Sequence, residues 1–62
     1  MEQKKSAQKR QQLLNAALDV FSLYGFNGAS LDEIAQIADM HKSNIFYYYE
    51  NKEALYVEVL TT

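Results

Sequence analysis

A long amphipathic helix is the element that the sequence predicts most strongly. In the segment 7–24, AQKRQQLLNAALDVFSLY, apolar residues recur at the three- and four-residue spacing of one helix face. That stripe consists of Leu14, Ala17, Leu18 and Phe21, and it is widened by Leu13 and Val20. Gly25 follows directly and suits the left-handed conformation after a helix end, where any side chain with a Cβ is strained. One helix that ends near Tyr24 is therefore expected.

Shorter helical segments occupy the remainder of the chain. Ser30 and Glu33 form a capping box in SLDE, in which each side chain can satisfy the other residue's backbone N–H. The helix that it opens is expected to end near Ala38, and the connector DMH leads to another helix from Lys42. Asn51 can cap a further helix, KEALYVEVLTT, whose periodicity is still running at its end, so we expect the natural protein to continue. No segment alternates as a strand does, and the predicted fold class is all-α.

The composition excludes several classes of protein. The 62 residues include one histidine and no cysteine, so we predict no metal site, no cofactor, no catalytic residues and no enzyme activity. A domain of this length buries only about 60% of its unfolded surface, so a partner or more of the same chain is expected to stabilise it. No apolar run approaches the roughly 20 residues of a membrane span, which predicts a soluble, cytoplasmic protein without a membrane partner.

Basic residues are concentrated at the start of the chain. The net charge is −2, but four of the six basic residues lie within the first ten positions: Lys4, Lys5, Lys9 and Arg10. We predict a basic arm over 1–9 and a folded domain over 10–62. The arm is either a solvated terminus or a source of a few phosphate contacts, to which Lys9 and Arg10 would contribute.

The run FYYY, residues 46–49, contains more aromatic side chains than one buried helix face can use. Successive residues of a helix are about 100° apart, so relative to Ile45 at zero, Tyr49 lies at about 40° and Phe46 at about 100°. These three side chains are expected to join the core, which we predict also contains Leu14, Phe21 and Ile34. Tyr47 lies near 200°, between Ser43 at about 160° and Asn44 at about 260°, while Tyr48 lies on the border at about 300°. The alternative is that all four rings form core or a partner interface.

Two short helices joined by a tight turn, the second with a polar outer face, are typical of a helix-turn-helix. In that motif the second helix enters the major groove with its N-terminal residues on base edges. Asn44 can pair with adenine, Ser43 can donate or accept, and the ring of Tyr47 can contact a thymine methyl group. The chain is therefore predicted as a three-helix bundle with a homeodomain-like helix-turn-helix and the start of a fourth helix.

Several motifs agree with one family in order and spacing: LLNAALDVF with its GF ending, SLDEIAQIA, KSNIFYYY and NKEAL. From Leu13 to Leu60 the chain resembles the DNA-binding domain of the tetracycline-repressor (TetR) family of bacterial transcriptional regulators. NKEALYVEVL is similar to the pyrimidine-utilisation repressor branch of that family. The resemblance implies base-reading residues at Lys42, Ser43, Asn44 and Tyr47. It implies phosphate contacts at Ser30, Tyr48 and Lys52, although Lys52 can also be read as a solvated surface charge.

Three positions depart from the family pattern. Asp39 stands where the turn usually carries glycine, and aspartate adopts the left-handed conformation at some strain. His41 stands where serine or alanine is frequent; it is either an ordinary surface residue or, when protonated, a further phosphate contact. Asp32 occupies a position where some members place a base-reading arginine, and we expect this acid to serve the helix start instead.

The resemblance implies a ligand-responsive regulator, expected to be a repressor, of which this chain is the operator-binding domain. Two such domains, joined by a C-terminal helical domain absent from this chain, would bind a palindromic operator on double-stranded DNA as a homodimer. A small-molecule effector, whose identity the sequence does not give, would bind the C-terminal domain and release the DNA. The alternative is a protein-interaction module with Tyr47 and Tyr48 as its anchors.

Overall fold

Four helices and their connections make up the fold. The structure is a computed structural model that describes the backbone of residues 2–61 and the side chains of residues 8–61. The helices are α1 (Glu2–Gly28), α2 (Leu31–Ile37), α3 (Lys42–Tyr48) and α4 (Lys52–Thr61). Within residues 2–61 there is no strand, and the all-α prediction is confirmed. Among the described residues, no helix is both long enough and apolar enough to cross a membrane.

The first helix begins earlier than the sequence analysis predicted. It starts at Glu2 rather than near Ala7, so the backbone of the predicted basic arm continues into the helix without a break at residue 9. Glutamate, glutamine, lysine and alanine dominate this segment, and all of them favour a helix. Lys4 and Lys5 lie outside the residues whose side chains are described.

The predicted interruption after Tyr24 occurs at Gly25. Its φ of 75° and ψ of 177° break the helical path inside α1, after which one more helical turn runs to Gly28. This combination of angles belongs to a region that is essentially restricted to glycine, and differs from the left-handed helical conformation that we expected. The backbone N–H of Ala29 donates to the Gly25 carbonyl over 3.1 Å, which closes the turn. The kink directs the chain from α1 towards α2.

Every helix contributes at least one fully buried aliphatic side chain to a single core. These side chains are Leu13 and Val20 from α1, Ile34 from α2, Ile45 from α3 and Leu55 from α4. A second layer is aromatic, with Phe21 and Phe26 packed against Tyr56 of α4 at centroid distances of 4.9 and 5.0 Å. The aromatic layer joins the end of α1 to α4, while the aliphatic layer holds the other two helices.

The predicted core is correct in most positions and wrong in one. Leu14, Phe21, Ile34 and Ile45 are buried, and Tyr49 is half-buried against the core. Phe46, predicted as core, is 48% exposed. The apolar face of α3 is centred on Ile45 and flanked by Tyr48 and Tyr49, which are three and four residues further on and therefore share its side of the helix. Phe46, a quarter-turn away, falls outside that face.

Tyr49 carries a buried polar atom at the end of α3. Its hydroxyl oxygen is buried without a hydrogen-bond partner, and its backbone is extended, with φ −136° and ψ 135°. Burial raises the pKa of the phenol, the nearby Glu58 carboxylate raises it further, and Arg10 opposes both by lowering it. Arg10, predicted as a phosphate contact, therefore lies within electrostatic range of the junction between α3 and α4.

Replacement of Gly25 should destabilise the fold through the backbone alone. A Cβ at this position would meet no atom within 4 Å, so Gly25→Ala creates no clash and leaves only the cost of the positive φ. We expect a loss of about 1–3 kcal/mol in the free energy of unfolding, measured by denaturant titration. D-Alanine introduced by semisynthesis is the matched control and should retain stability, because positive φ is allowed for a D-residue. Equal losses for the two alanines would contradict this explanation.

Removal of the Tyr49 hydroxyl should change stability in a pH-dependent way. Because the pKa is raised in the folded state, the neutral phenol is favoured by folding, and this preference is lost as the pH rises above the ordinary value of 10.0. Tyr49→Phe should therefore unfold less readily than the wild type above about pH 10. Near pH 7 it should be as stable or gain up to about 1 kcal/mol, since an unpaired buried hydroxyl is removed. Urea titrations at pH 7 and pH 10.5 measure the difference, and a constant difference between the two would refute it.

Candidate nucleic-acid interface

The turn between α2 and α3 is held by backbone hydrogen bonds and one strained residue. The N–H of Met40 donates to the Ala35 carbonyl over 2.9 Å, and the N–H of Asn44 donates to the His41 carbonyl over 2.9 Å. Asp39 has a φ of 60°, so the residue that replaces the usual glycine adopts the left-handed conformation, as predicted. Its conformation reverses the chain and brings α3 across α2 in a helix-turn-helix arrangement.

The outer face of α3 presents the four predicted base-reading residues. Ser43 is exposed, Asn44 is partly buried, Tyr47 is 83% exposed, and the side chain of Lys42 is 49% exposed. The buried Ile45 fixes the opposite face, so these side chains project from the first two turns of the helix. Phe46 projects beside Lys42 and Ser43, and sequence reasoning missed this placement. The spacing of Ile45, Tyr48 and Tyr49 was the signal that could have revealed it.

Tyr47 and Tyr48 form a perpendicular pair. Their ring centroids are 5.3 Å apart and their planes meet at 90°, the edge-to-face arrangement that aromatic rings favour. Tyr48 is half-buried against the core, whereas Tyr47 is exposed. The inner ring thus supports the outer one, which limits the orientations that Tyr47 can adopt.

The starts of α2 and α3 are connected by an ion pair. Lys42 Nζ lies 3.5 Å from Asp32 Oδ1, with 49% and 74% of the two side chains exposed. Asp32 does lie in the first turn of α2, as predicted, but its carboxylate also has this cationic partner on the neighbouring helix. A pair at this exposure contributes at most about 1 kcal/mol to stability.

Ser30 caps α2 through its hydroxyl oxygen. The oxygen accepts from the backbone N–H groups of Asp32, at 3.1 Å, and Glu33, at 3.4 Å. The return bond of a capping box, from the Ser30 N–H to the Glu33 side chain, is not formed in the described part of the chain, so the prediction of a reciprocal box is half correct. Because the hydroxyl acts only as an acceptor here, its hydrogen is free to be donated outwards.

Lys52 is bound within the fold rather than freely solvated. Its ammonium donates to the Ala29 carbonyl over 3.0 Å and lies 4.5 Å from the centroid of the Phe26 ring. The alternative reading of Lys52 as a solvated surface charge is therefore wrong. Asn51 caps the same helix as predicted, its side-chain oxygen accepting from the Ala54 N–H over 2.8 Å. Two of the three ammonium hydrogens of Lys52 remain available for another acceptor.

A groove lies between α1 and the turn that joins α2 to α3. Its lining includes the polar residues Lys9, Gln36, Asp39, His41 and Asn44, together with Ala35 and Met40. His41 occupies the position before α3 and makes no capping hydrogen bond with its side chain. Lys9 is thus placed beside the edge of α3 that carries Asn44, whereas Arg10 lies towards Tyr49. No group of three or more histidine, cysteine, aspartate or glutamate residues suited to a metal ion occurs among the residues described.

The family model described as bacterial regulatory proteins, tetR family, matches residues 13–59. This chain belongs to the TetR family. The helix-turn-helix regulator RutR of Escherichia coli strain K12 is 50% identical to it over 52 residues, which cover 84% of this chain and 24% of RutR. The transcriptional repressor NicS of Pseudomonas putida is 39% identical over 51 residues, covering 82% of this chain and 24% of NicS.

A third relative is IcaR of Staphylococcus epidermidis, a negative transcriptional regulator of the biofilm operon icaADBC. It is 32% identical over 47 residues, covering 76% of this TetR-family chain and 25% of IcaR. The chain spans about a quarter of the length of the relatives that it matches. The prediction of a TetR-type helix-turn-helix domain is confirmed by the family match, and these relatives are named as transcriptional regulators or repressors.

Lys52 should contribute more to stability than Lys42, the lysine that opens α3. Lys52→Ala removes a charged hydrogen bond and a cation–π contact, and we expect it to lower the free energy of unfolding by about 1–3 kcal/mol. Lys42→Ala is the matched control and should cost less than about 1 kcal/mol, because its ion pair is solvated. Denaturant titration of both variants measures the difference. A loss for Lys52→Ala no larger than that for Lys42→Ala would show that the contact with Ala29 stabilises nothing.

Proposed function

We propose that this chain is the operator-binding head of a dimeric, ligand-responsive repressor that docks α3 in the major groove. One observation carries the proposal: α3 is anchored by the buried Ile45 and presents Lys42, Ser43, Asn44 and Tyr47 together on its outer side. The major groove of B-DNA is about 12 Å wide and admits a helix of this kind. The first two turns of α3 would meet the base edges while α2 lies across the backbone.

Each outward side chain has a chemically suitable partner in the groove. The Asn44 amide can donate to and accept from adenine, and the Ser43 hydroxyl can do either with several bases. The Lys42 ammonium suits the acceptor atoms of guanine. The Tyr47 ring, supported edge-on by Tyr48, can pack on a thymine methyl group.

Phosphate contacts would surround these base contacts. The free hydroxyl hydrogen of Ser30 and the remaining ammonium hydrogens of Lys52 supply donors close to one another, because Lys52 bonds to the carbonyl of Ala29, the residue before Ser30. Lys9 and His41 lie in the groove beside Asn44 and would contact phosphates at that edge. Tyr48 and Arg10 complete the proposed set. With a net charge of −2, affinity must come from the placement of these few donors rather than from the overall charge.

Dimerisation, repression and ligand response are inferred for the whole regulator. NicS is named a repressor and IcaR a negative regulator, and both are about four times as long as the segment that they share with this chain. On α4, Val57 and Leu60 are 52% and 66% exposed, which is consistent with further protein packing against this helix. We infer a two-fold symmetric homodimer on a palindromic operator, with an effector that releases the DNA. Its location would be the bacterial cytoplasm, on the nucleoid when bound.

The second candidate is a protein-interaction module. The 83% exposure of Tyr47, in contact with Tyr48, is the observation that favours it, since tyrosine is enriched at the energetic centres of interfaces. The two functions differ in their dependence on salt. Binding to DNA weakens steeply as salt rises because counterions are released, whereas a tyrosine-centred protein contact changes little.

The base-reading assignment is tested by substitution on the outer face of α3. Asn44→Ala and Tyr47→Ala should each cost roughly 1–3 kcal/mol on the operator and little on random DNA, because they remove base contacts. Lys52→Ala should instead weaken binding to all sequences equally and reduce the salt slope by about 1. Fluorescence anisotropy on operator and random duplexes over a range of salt concentrations measures both effects.

Two variants serve as matched controls. Asn15→Ala removes an exposed asparagine from α1, where its side chain is bonded to Gln11, and should leave DNA binding unchanged. Tyr47→Phe keeps the ring and should retain thymine recognition. Unaltered discrimination between operator and random DNA in both Asn44→Ala and Tyr47→Ala would reject the assignment.

A further inference from the structure

The ion pair between Asp32 and Lys42 places a hydrogen-bond acceptor and a donor side by side at the front of the helix-turn-helix. Lys42 Nζ and Asp32 Oδ1 are 3.5 Å apart; the Asp32 side chain is largely exposed and the Lys42 side chain about half exposed. Lys42 opens α3 and Asp32 lies in the first turn of α2, so the pair sits where both helices would approach DNA. The inference that follows rests on the function proposed above.

The carboxylate of Asp32 has only a small structural role at the start of α2. The Ser30 hydroxyl already accepts from the backbone N–H groups of Asp32 and Glu33, and Glu33 supplies a second negative charge to the same helix turn. The solvated ion pair adds at most about 1 kcal/mol to stability. Near DNA the carboxylate is repelled by phosphates, so its presence is unfavourable unless it meets a hydrogen-bond donor. In the major groove such donors are the amino groups of cytosine and adenine.

We propose that Asp32 and Lys42 together read one G·C base pair, with Lys42 donating to guanine O6 and N7 and Asp32 accepting from cytosine N4. Guanine O6 and cytosine N4 are joined by the Watson–Crick hydrogen bond and are therefore about 2.9 Å apart. The 3.5 Å between the ammonium and the carboxylate matches this separation. Lys42 and Asp32 can thus face the two atoms together and keep their mutual attraction.

The same pair disfavours the other base pairs. Adenine also offers an amino group beside its N7 acceptor, but it gives Lys42 one acceptor where guanine gives two, N7 and O6, so one hydrogen bond is lost. Thymine offers one acceptor and a methyl group to Lys42, where guanine offers two acceptors. Reversal to C·G places an amino group against the ammonium and acceptors against the carboxylate. Asp32 therefore acts as a specificity determinant by attraction to cytosine and by repulsion from the alternatives.

Selection from randomised duplexes, with the regulator at its natural full length, tests the proposal. The wild type should require G·C at one position of each half-site. Asp32→Ala and Lys42→Gln should each reduce discrimination at that same position by roughly 5- to 100-fold. Asp32→Asn should shift the preference there towards A·T, because an amide can both accept from adenine N6 and donate to N7.

Glu33→Ala is the matched control, since Glu33 is the neighbouring acid and is not paired with Lys42. It should change overall affinity without changing the preferred base at any position. If Asp32→Ala behaves as Glu33→Ala does while Asn44→Ala and Tyr47→Ala still alter the selected sequence, joint reading is refuted and the proposed function stands. Effects of Asp32→Ala and Lys42→Gln at different positions would also refute it. A wild type without any sequence preference would overturn the proposed function itself.

Discussion

Burial of Ile45 is the interaction on which the proposed DNA-binding surface depends. A seven-residue helix such as α3 is too short to be stable in water by itself, so its existence requires tertiary packing. Ile45 is completely buried, and it belongs to the same core as Ile34 of α2 and Leu13 of α1. Its burial orients the whole helix, because the positions of Ser43, Asn44 and Tyr47 around the axis are fixed once one side faces inwards. The proposed specificity in the DNA groove would therefore follow from the hydrophobic packing behind α3.

A second junction connects α4 to the rest of the domain. The kink at Gly25 places Phe26 against Tyr56 and beneath the ammonium of Lys52, which also bonds to the carbonyl of Ala29. A change in the orientation of α4 would have to break or distort this junction. Lys52 thus makes a structural contact and is also a proposed phosphate ligand. The same side chain would therefore affect both the position of α4 and the affinity for the DNA backbone.

Local features of the sequence predicted the four helices and most of their ends, but not the start of α1 at Glu2. Ser30, Asn51, Gly25 and Asp39 each act through the backbone within four residues, and the structure shows a cap or a special conformation at all of them. The prediction was wrong for Phe46 because helical spacing allows Ile45 and Tyr49 to share the core face with either Phe46 or Tyr48, and the core lies on the side of Tyr48. Lys52 and Ala29 are 23 residues apart, and Asp32 meets Lys42 from another helix. Contacts of this kind depend on how the helices assemble and leave no periodic signal in the sequence.

The continuity of α1 has a consequence for the entropy of binding. Lys9 is carried by a helix that runs without interruption into the buried residues Leu13 and Leu14, and its side chain lines the groove beside Asn44. A lysine on a disordered arm would lose about 1–2 kcal/mol of backbone freedom for each residue ordered by DNA. Here that loss has already occurred during folding. A phosphate contact made by Lys9 would consequently restrict only the side chain, and its distance from the bases read by α3 would be set in advance.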